Sequence, residues 1–387
     1  MTDDSIEIYL RGRVVAPSHQ YEDGVVVVRA DRIAAVQSYA EWAAAHRDSR
    51  PPEHLGTIVP GLVDIHNHGG YGHRFDTTDV EQARAAAEFH RRDGSTSVIA
   101  SVVTGAPEDM VAQTATLRSL AADGTIAGIH SEGPFLSEAR CGAQDPRYLT
   151  DPDPALIERL LEAAGGHLRV MTLAPERRGF EAAAKQLADG GVVIALGHSD
   201  AEYSEFRAAL APNGFGTLVT HLANGMPPLH HRTPGPVAAG LVAAAHRAAV
   251  VELIGDGVHV EPGFGALVFA TAADRVALIT DAMQAAGLAD GEYRLGPQSV
   301  RVTDGVARVA NGSIAGGTAT LLQCLRWTVR ECGVSLPDAV RAATATPAAA
   351  LGLDDVGDLR PGLRADVIVL DADLALQRVL RRGQWLT

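Results

Sequence analysis

From Leu62 to Asp281 the chain repeats one two-part unit, a short apolar run followed by an alanine-rich amphipathic stretch. The apolar runs lie near residues 62–68, 96–103, 126–132, 168–174, 192–198, 217–221, 249–255 and 276–281. Val80 to Arg92, Glu108 to Ala122, Pro154 to Ala164, Phe180 to Ala188 and Glu202 to Leu210 carry apolar residues at helical spacing between them. Continuous apolar runs read as strands buried on both faces, and parallel strands need a helix-sized crossover between them. Eight such units predict an α/β chain folded as a (β/α)8 barrel. In that architecture the side chains that do chemistry stand at the C-terminal ends of the strands.

The two ends of the chain read differently. Ile6 to Val15, Val25 to Val28 and Ile33 to Val36 are short strands separated by Glu22-Asp23-Gly24 and Asp31. Ala365 to Leu370 and Leu376 to Leu380 repeat the pattern after the turn Arg360-Pro361-Gly362. Neither end is long enough to bury a core alone, so we expect both to pair into one small β-sheet or sandwich domain. The expected division is 1–59 with 357–387 for that discontinuous domain and 60–356 for the barrel. A hairpin is expected as an insertion near 293–314, with Ser299–Thr303, the turn Asp304-Gly305 and Val306–Val309.

Composition narrows the function classes. With 387 residues and 46% hydrophobic content the chain has ample material for a barrel-sized core. A formal net charge of −14 argues against sequence-independent binding to nucleic acid or to anionic membranes, whose fields would repel it. Any anionic ligand must be held by a local cluster of cations. No run of about 18 uncharged apolar residues is present, and Met1 to Glu7 lacks the basic and apolar regions of a signal peptide. Cys141, Cys324 and Cys332 show no paired spacing, which fits a reducing compartment, and we expect a soluble cytoplasmic protein.

The first apolar run ends in His66-Asn67-His68, and residues two apart on a strand share a face, so both imidazoles can converge on one ion. Alone, the pair reads more readily as two solvated loop histidines. Four other runs answer it by ending in Glu132, His198, His221 and Asp281. Imidazole and carboxylate donors without thiolate suit a divalent metal, one or two ions, with zinc favoured and iron, manganese, cobalt and cadmium open. Such an ion acidifies water and polarises a carbonyl. Asp281, alone at the end of the eighth run, has the chemistry of a general acid/base as well as of a metal ligand.

At these residues the chain resembles the amidohydrolase superfamily, whose barrel carries H-x-H on strand 1, Glu or modified Lys on strand 3 or 4, His on strands 5 and 6, and Asp on strand 8. It resembles the N-acetylglucosamine-6-phosphate deacetylase family more closely still. The segments that carry this are Pro60-Gly61-Leu62-Val63-Asp64-Ile65-His66, His130-Ser131-Glu132-Gly133-Pro134-Phe135-Leu136 and Leu196-Gly197-His198-Ser199, followed by His221-Leu222-Ala223-Asn224-Gly225-Met226-Pro227-Pro228, Asp256-Gly257-Val258-His259 and Thr280-Asp281-Ala282-Met283. The resemblance implies a metal-dependent hydrolase barrel that removes acetate from N-acetyl-D-glucosamine 6-phosphate. It implies that Glu132, His198 and His221 hold the main metal and that His66 and His68 complete a second site. It also implies that Asn224, the amide of Gly225, Arg232 and His259 contact the sugar phosphate, one or more of them from a neighbouring subunit, and hence a homodimer. Two positions depart from the family: Gly225 stands where Ala is usual, and Gln144 falls where some members place a substrate-contacting His.

Two other readings compete. One is a related amidohydrolase acting on a cyclic amide or nucleobase; its carboxylated-lysine variants would want a lysine at a strand end, but the single lysine, Lys185, lies in a helical stretch. A barrel that binds metal or sugar phosphate without turnover has no need of Asp281 as a proton shuttle. The polar loop Leu136 to Asp145, with Cys141, reads as a lid. His230, His231 and Arg232 form a basic cluster in a proline-rich loop, and His73, His90, His167 and His246 read as surface residues.

Overall fold

The structure, a computed structural model, describes residues 7–212 and 214–386. Ile6, the first residue of the first expected strand, and the segment before it lie outside the described residues. Eight parallel strands form one sheet: β1 (Val63–Asn67), β2 (Ser97–Val103), β3 (Gly128–Glu132), β4 (Leu168–Leu173), β5 (Val193–Leu196), β6 (Gly216–Val219), β7 (Val250–Ile254) and β8 (Val276–Ile279). Each pairs with the next in sequence. The sheet curls until β8 meets β1, where Asp281 N–H donates to the His66 carbonyl at 2.9 Å and His68 N–H to the Ala282 carbonyl at 2.7 Å. Thr280 Oγ1 adds a bond to the buried Asp64 carboxylate at 2.7 Å. The (β/α)8 barrel expected from the eight apolar runs is therefore present, with its ends joined beside the first and last ligand candidates.

Local chemistry explains the helices between strands. Asp153 caps Pro154–Ala164 by accepting from Ala155 N–H, Pro154 suits the first turn, and Gly165 ends the helix in the left-handed region at φ 55°. Val80–Arg92 is capped by Asp79 and buries Ala83, Ala86, Ala87 and His90, a set at helical spacing that faces the barrel. His90 is therefore not a surface residue as expected: it is fully buried, with Nε2 bonded to the Gly69 carbonyl at 2.9 Å. His73 and His167 are half-buried and His246 is exposed.

Strands from both ends of the chain form a single seven-stranded sheet. His54–Pro60, which lay unnoticed in the sequence, joins the two ends, running parallel to Glu7–Val15 and antiparallel to Val367–Leu370. Leu10, Val26, Ile58, Val367 and Leu380 pack into one core across that junction. The insertion after β8 is a three-stranded antiparallel sheet, because Gly291–Leu295 adds to the expected hairpin of Gln298–Thr303 and Val306–Arg308. It packs Leu295, Val300 and Val302 against Val103 and Met283, just beyond β2 and β8, and so sits over the mouth of the barrel. Among the described residues no helix is long and apolar enough to cross a membrane.

Candidate metal centre

The six ligand candidates meet at the C-terminal mouth. Glu132 is the last residue of β3, whereas His198, His221 and Asp281 each lie two residues beyond the end of their strand. These three adopt φ of 46°, 25° and 48°, a conformation that costs non-glycine residues on the order of 1–3 kcal/mol and that turns the chain sharply at the strand end. His66 and His68 reach the same space from β1 by strand alternation.

Two groups of three result, His66–His68–Asp281 and Glu132–His198–His221, all buried, with ligand atoms of each group within 4.8 Å of one another. Glu132 faces both. Its Oε1 lies 2.9 Å from His221 Nε2 and 3.0 Å from His198 Nε2, and its Oε2 lies 3.3 Å from His68 Nε2. His68 Nε2 is also 3.1 Å from Asp281 Oδ1 and from His66 Nε2.

The donor chemistry fits a cation. His198 Nδ1 is 2.8 Å from the Arg140 carbonyl, which only accepts, so Nδ1 carries the proton and the neutral ring aims a bare Nε2 at Glu132. His66 likewise places Nδ1 3.1 Å from Glu252 Oε2, leaving Nε2 bare toward Asp281 Oδ1 at 3.5 Å. Lone pairs facing carboxylate oxygens repel unless a metal ion or a proton lies between them. Without an ion the group must share protons. Burial opposes ionisation of Asp281, but the charge of His66 and the bond from His68 outweigh it and hold the carboxyl at about 2. Burial likewise opposes protonation of His68, yet Asp281 and Glu132 lift it to about 9.

A cavity of about 340 Å³ opens above the ligands, and Gln144, Asn224, Gly225 and His259 line its wall with the loop from Ala139 to Ala143. Gln144 is buried, and His259 is held by Asp256 Oδ2 at 2.7 Å. At Gly225, where φ is 59°, a Cβ would stand 2.8 Å from His198 Nδ1, so a side chain here would press on that imidazole. Arg232 is not in this cavity: it is exposed and lines a separate cleft with Pro227, Pro228 and His230. Cys141 is half-buried in the loop.

Two carboxylates that support the site escaped the sequence reading. Asp64 accepts from Asn67 Nδ2 at 2.9 Å and from Thr280, locking β1 to β8. Glu252 accepts from His66 and from the backbone N–H of His221 at 3.0 Å. Each is the one acid within an apolar run, Val63-Asp64-Ile65 and Val250-Val251-Glu252-Leu253-Ile254, and that was the available signal.

An eight-stranded parallel barrel that gathers four histidines and two carboxylates at its C-terminal mouth defines a hydrolase barrel of the amidohydrolase type. The amidohydrolase family signature matches residues 57–385. The N-acetylgalactosamine-6-phosphate deacetylase of Escherichia coli O157:H7 is 36% identical over 332 residues, covering 84% of this chain and 87% of that one. The N-acetylglucosamine-6-phosphate deacetylase of Vibrio furnissii is 33% identical over 380 residues, covering 96% and 93%. The N-acetyl-D-glucosamine-6-phosphate deacetylase of Mycobacterium smegmatis, solved in complex with N-acetyl-D-glucosamine-6-phosphate, superposes with a TM-score of 0.92 at 42% identity, covering 98% of this chain and 99% of that one. The chain belongs to the amidohydrolase family and, within it, to the N-acetylglucosamine-6-phosphate deacetylase family.

Proposed function

We propose that this enzyme hydrolyses the N-acetyl group of N-acetyl-D-glucosamine 6-phosphate to give D-glucosamine 6-phosphate and acetate. The observation that carries the reading is the convergence of two ligand groups around Glu132 in a chain of the deacetylase family. Glu132, His198 and His221 hold the main divalent ion, and His66 and His68 with Asp281 hold a second, zinc being the ion we expect. When bound, such an ion supplies Lewis acidity to the amide carbonyl and to water. Asp281, ionised, accepts the proton of the attacking water on its carboxylate and returns it to the leaving amine nitrogen.

Asn224, the Gly225 amide and His259 line the cavity where the sugar phosphate would lie. Gln144 spends one amide hydrogen on Glu132 and keeps its other for a sugar hydroxyl. Arg232 lies outside its own subunit's cavity, which supports the reading that it serves the neighbouring site in a homodimer. We place the protein in the cytoplasm, acting on a free amino-sugar phosphate without nucleic acid or membrane. We also divide it as 1–59 with 357–387 for the small β domain and 60–356 for the catalytic barrel.

One observation favours a second substrate, the C4 epimer: the E. coli relative at 36% identity is named an N-acetylgalactosamine-6-phosphate deacetylase. The test is acetate release from both 6-phosphates and from unphosphorylated N-acetylglucosamine. The highest kcat/KM on N-acetyl-D-glucosamine 6-phosphate supports the proposal. Preference for either other sugar overturns the assigned substrate.

A further inference from the structure

We propose that Glu252 is a positioning residue that links the two ligand groups and sets how tightly both hold their ions, an inference that rests on the metal reading above. Glu252 is the only charged side chain in β7 and is 2% exposed. A carboxylate stays charged in such a place only where donors meet it. Both of its donors come from ligand-bearing residues: His66 Nδ1 at 3.1 Å and the backbone N–H of His221 at 3.0 Å, on the same oxygen, Oε2. Its backbone joins in, because the Glu252 carbonyl accepts from Leu222 N–H at 2.9 Å.

This placement differs from that of every ligand. His66 belongs with His68 and Asp281, and His221 belongs with Glu132 and His198. Glu252 is in neither group and touches one member of each. The two consequences are distinct. By accepting a hydrogen bond from His66 Nδ1–H, it fixes the tautomer whose Nε2 is bare, and only that tautomer can ligate through Nε2; a carboxylate behind a ligating imidazole also raises its basicity. By taking the N–H of His221, it holds the tight left-handed turn, φ 25°, that aims the second imidazole at Glu132. The carboxylate meets the ring of His66 but the backbone of His221, so a single oxygen orients one imidazole directly and the other through its turn.

The rival reading makes Glu252 a structural acid that only fastens the turn after β6 to β7. Fold stability responds to both roles, whereas ion affinity at both groups responds only to the first. Chelator-stripped wild type, Glu252→Gln and Glu252→Ala are each titrated with zinc against a chromophoric chelator, and melting of the stripped proteins is recorded separately. Glu252→Ala should weaken zinc binding about 10- to 100-fold, the usual effect of losing a carboxylate behind a ligating histidine. Glu252→Gln, which keeps the volume and an acceptor oxygen but not the charge, should fall between, and it keeps the test open if the alanine variant does not fold. Both binding steps should weaken in the Glu252 variants, whereas His66→Ala should abolish one step and spare the other. Wild-type affinity in folded Glu252→Gln, or weakening confined to one step, would overturn the linking role. Wild-type protein that takes up no zinc would instead remove the metal reading itself.

Discussion

Gln144 donates its side-chain amide to Glu132 Oε2 at 2.7 Å while its own carbonyl accepts the Thr104 backbone N–H at 2.8 Å. A loop residue thus braces the carboxylate that faces both ligand groups. A hydrogen bond to a charged acceptor contributes about 1.5–3 kcal/mol, so Gln144→Leu should weaken ion binding by roughly tenfold to a hundredfold. Chelator competition measures this directly. Unchanged ion affinity with a raised KM would confine Gln144 to the sugar.

Asp281 lies two residues beyond β8, 3.1 Å from His68 Nε2, and although burial opposes it the neighbouring histidines keep the carboxyl ionised, so it has a lone pair that can accept a proton. Asp281→Asn keeps the shape and an oxygen ligand but removes the base. Turnover should fall by a factor of about 100 or more with substrate binding nearly intact. Near wild-type kcat in metal-replete Asp281→Asn protein would take Asp281 out of the mechanism.

Arg232 offers a two-pronged donor set to phosphate, worth about 1.5–3 kcal/mol for a charge-assisted contact. Arg232→Ala should lower kcat/KM on the phosphorylated sugar by roughly tenfold to more than a hundredfold and leave the unphosphorylated sugar almost untouched. If Arg232 serves the neighbouring subunit of the proposed homodimer, mixing Arg232→Ala with Asp281→Asn subunits should restore activity through hybrid dimers. Equal loss on both sugars and no restoration on mixing would assign Arg232 to folding alone.

The eight barrel strands and the convergence of the six ligand candidates were legible because both are properties of single short runs: apolar continuity marks the strand, and a His, Glu or Asp at its end marks the mouth. The small sheet was legible at its two ends but not at His54–Pro60, whose Gly56 and Pro60 obscure the strand pattern. His90 was misread because its burial depends on which face of Val80–Arg92 meets the barrel, which Ala83, Ala86 and Ala87 show only once the helix is phased. Glu252 and the brace by Gln144 depend on contacts between segments more than 100 and 10 residues apart respectively, Glu252 to His66 and Gln144 to Glu132. No local pattern encodes such pairings. The position of Arg232 outside its own cavity follows from the course of a proline-rich loop, and that too is a tertiary fact.

The pair His259–Asp256 gives the site a pH dependence of defined sign. Burial works against a charged His259, but the hydrogen bond and charge of Asp256 outweigh it and raise its pKa above the ordinary imidazole range. A group raised in this way contributes fully below its ordinary pKa of about 6.5 and loses its contribution as pH rises through the raised value. If the charged ring binds the anionic sugar, kcat/KM should fall through that raised value on the alkaline side, and Asp256→Asn should move the fall to lower pH. Superimposable pH profiles for wild type and Asp256→Asn would rule this out.

If ions held around Glu132 are required for deacetylation, chelator stripping followed by reconstitution will show it. Acetate release from N-acetyl-D-glucosamine 6-phosphate should vanish on stripping and return in proportion to zinc taken up, while Glu132→Ala protein should neither retain zinc at the main site nor recover activity. Stripped protein, shown by elemental analysis to be free of metal, that still released acetate at the wild-type rate would show that the reaction needs no ion.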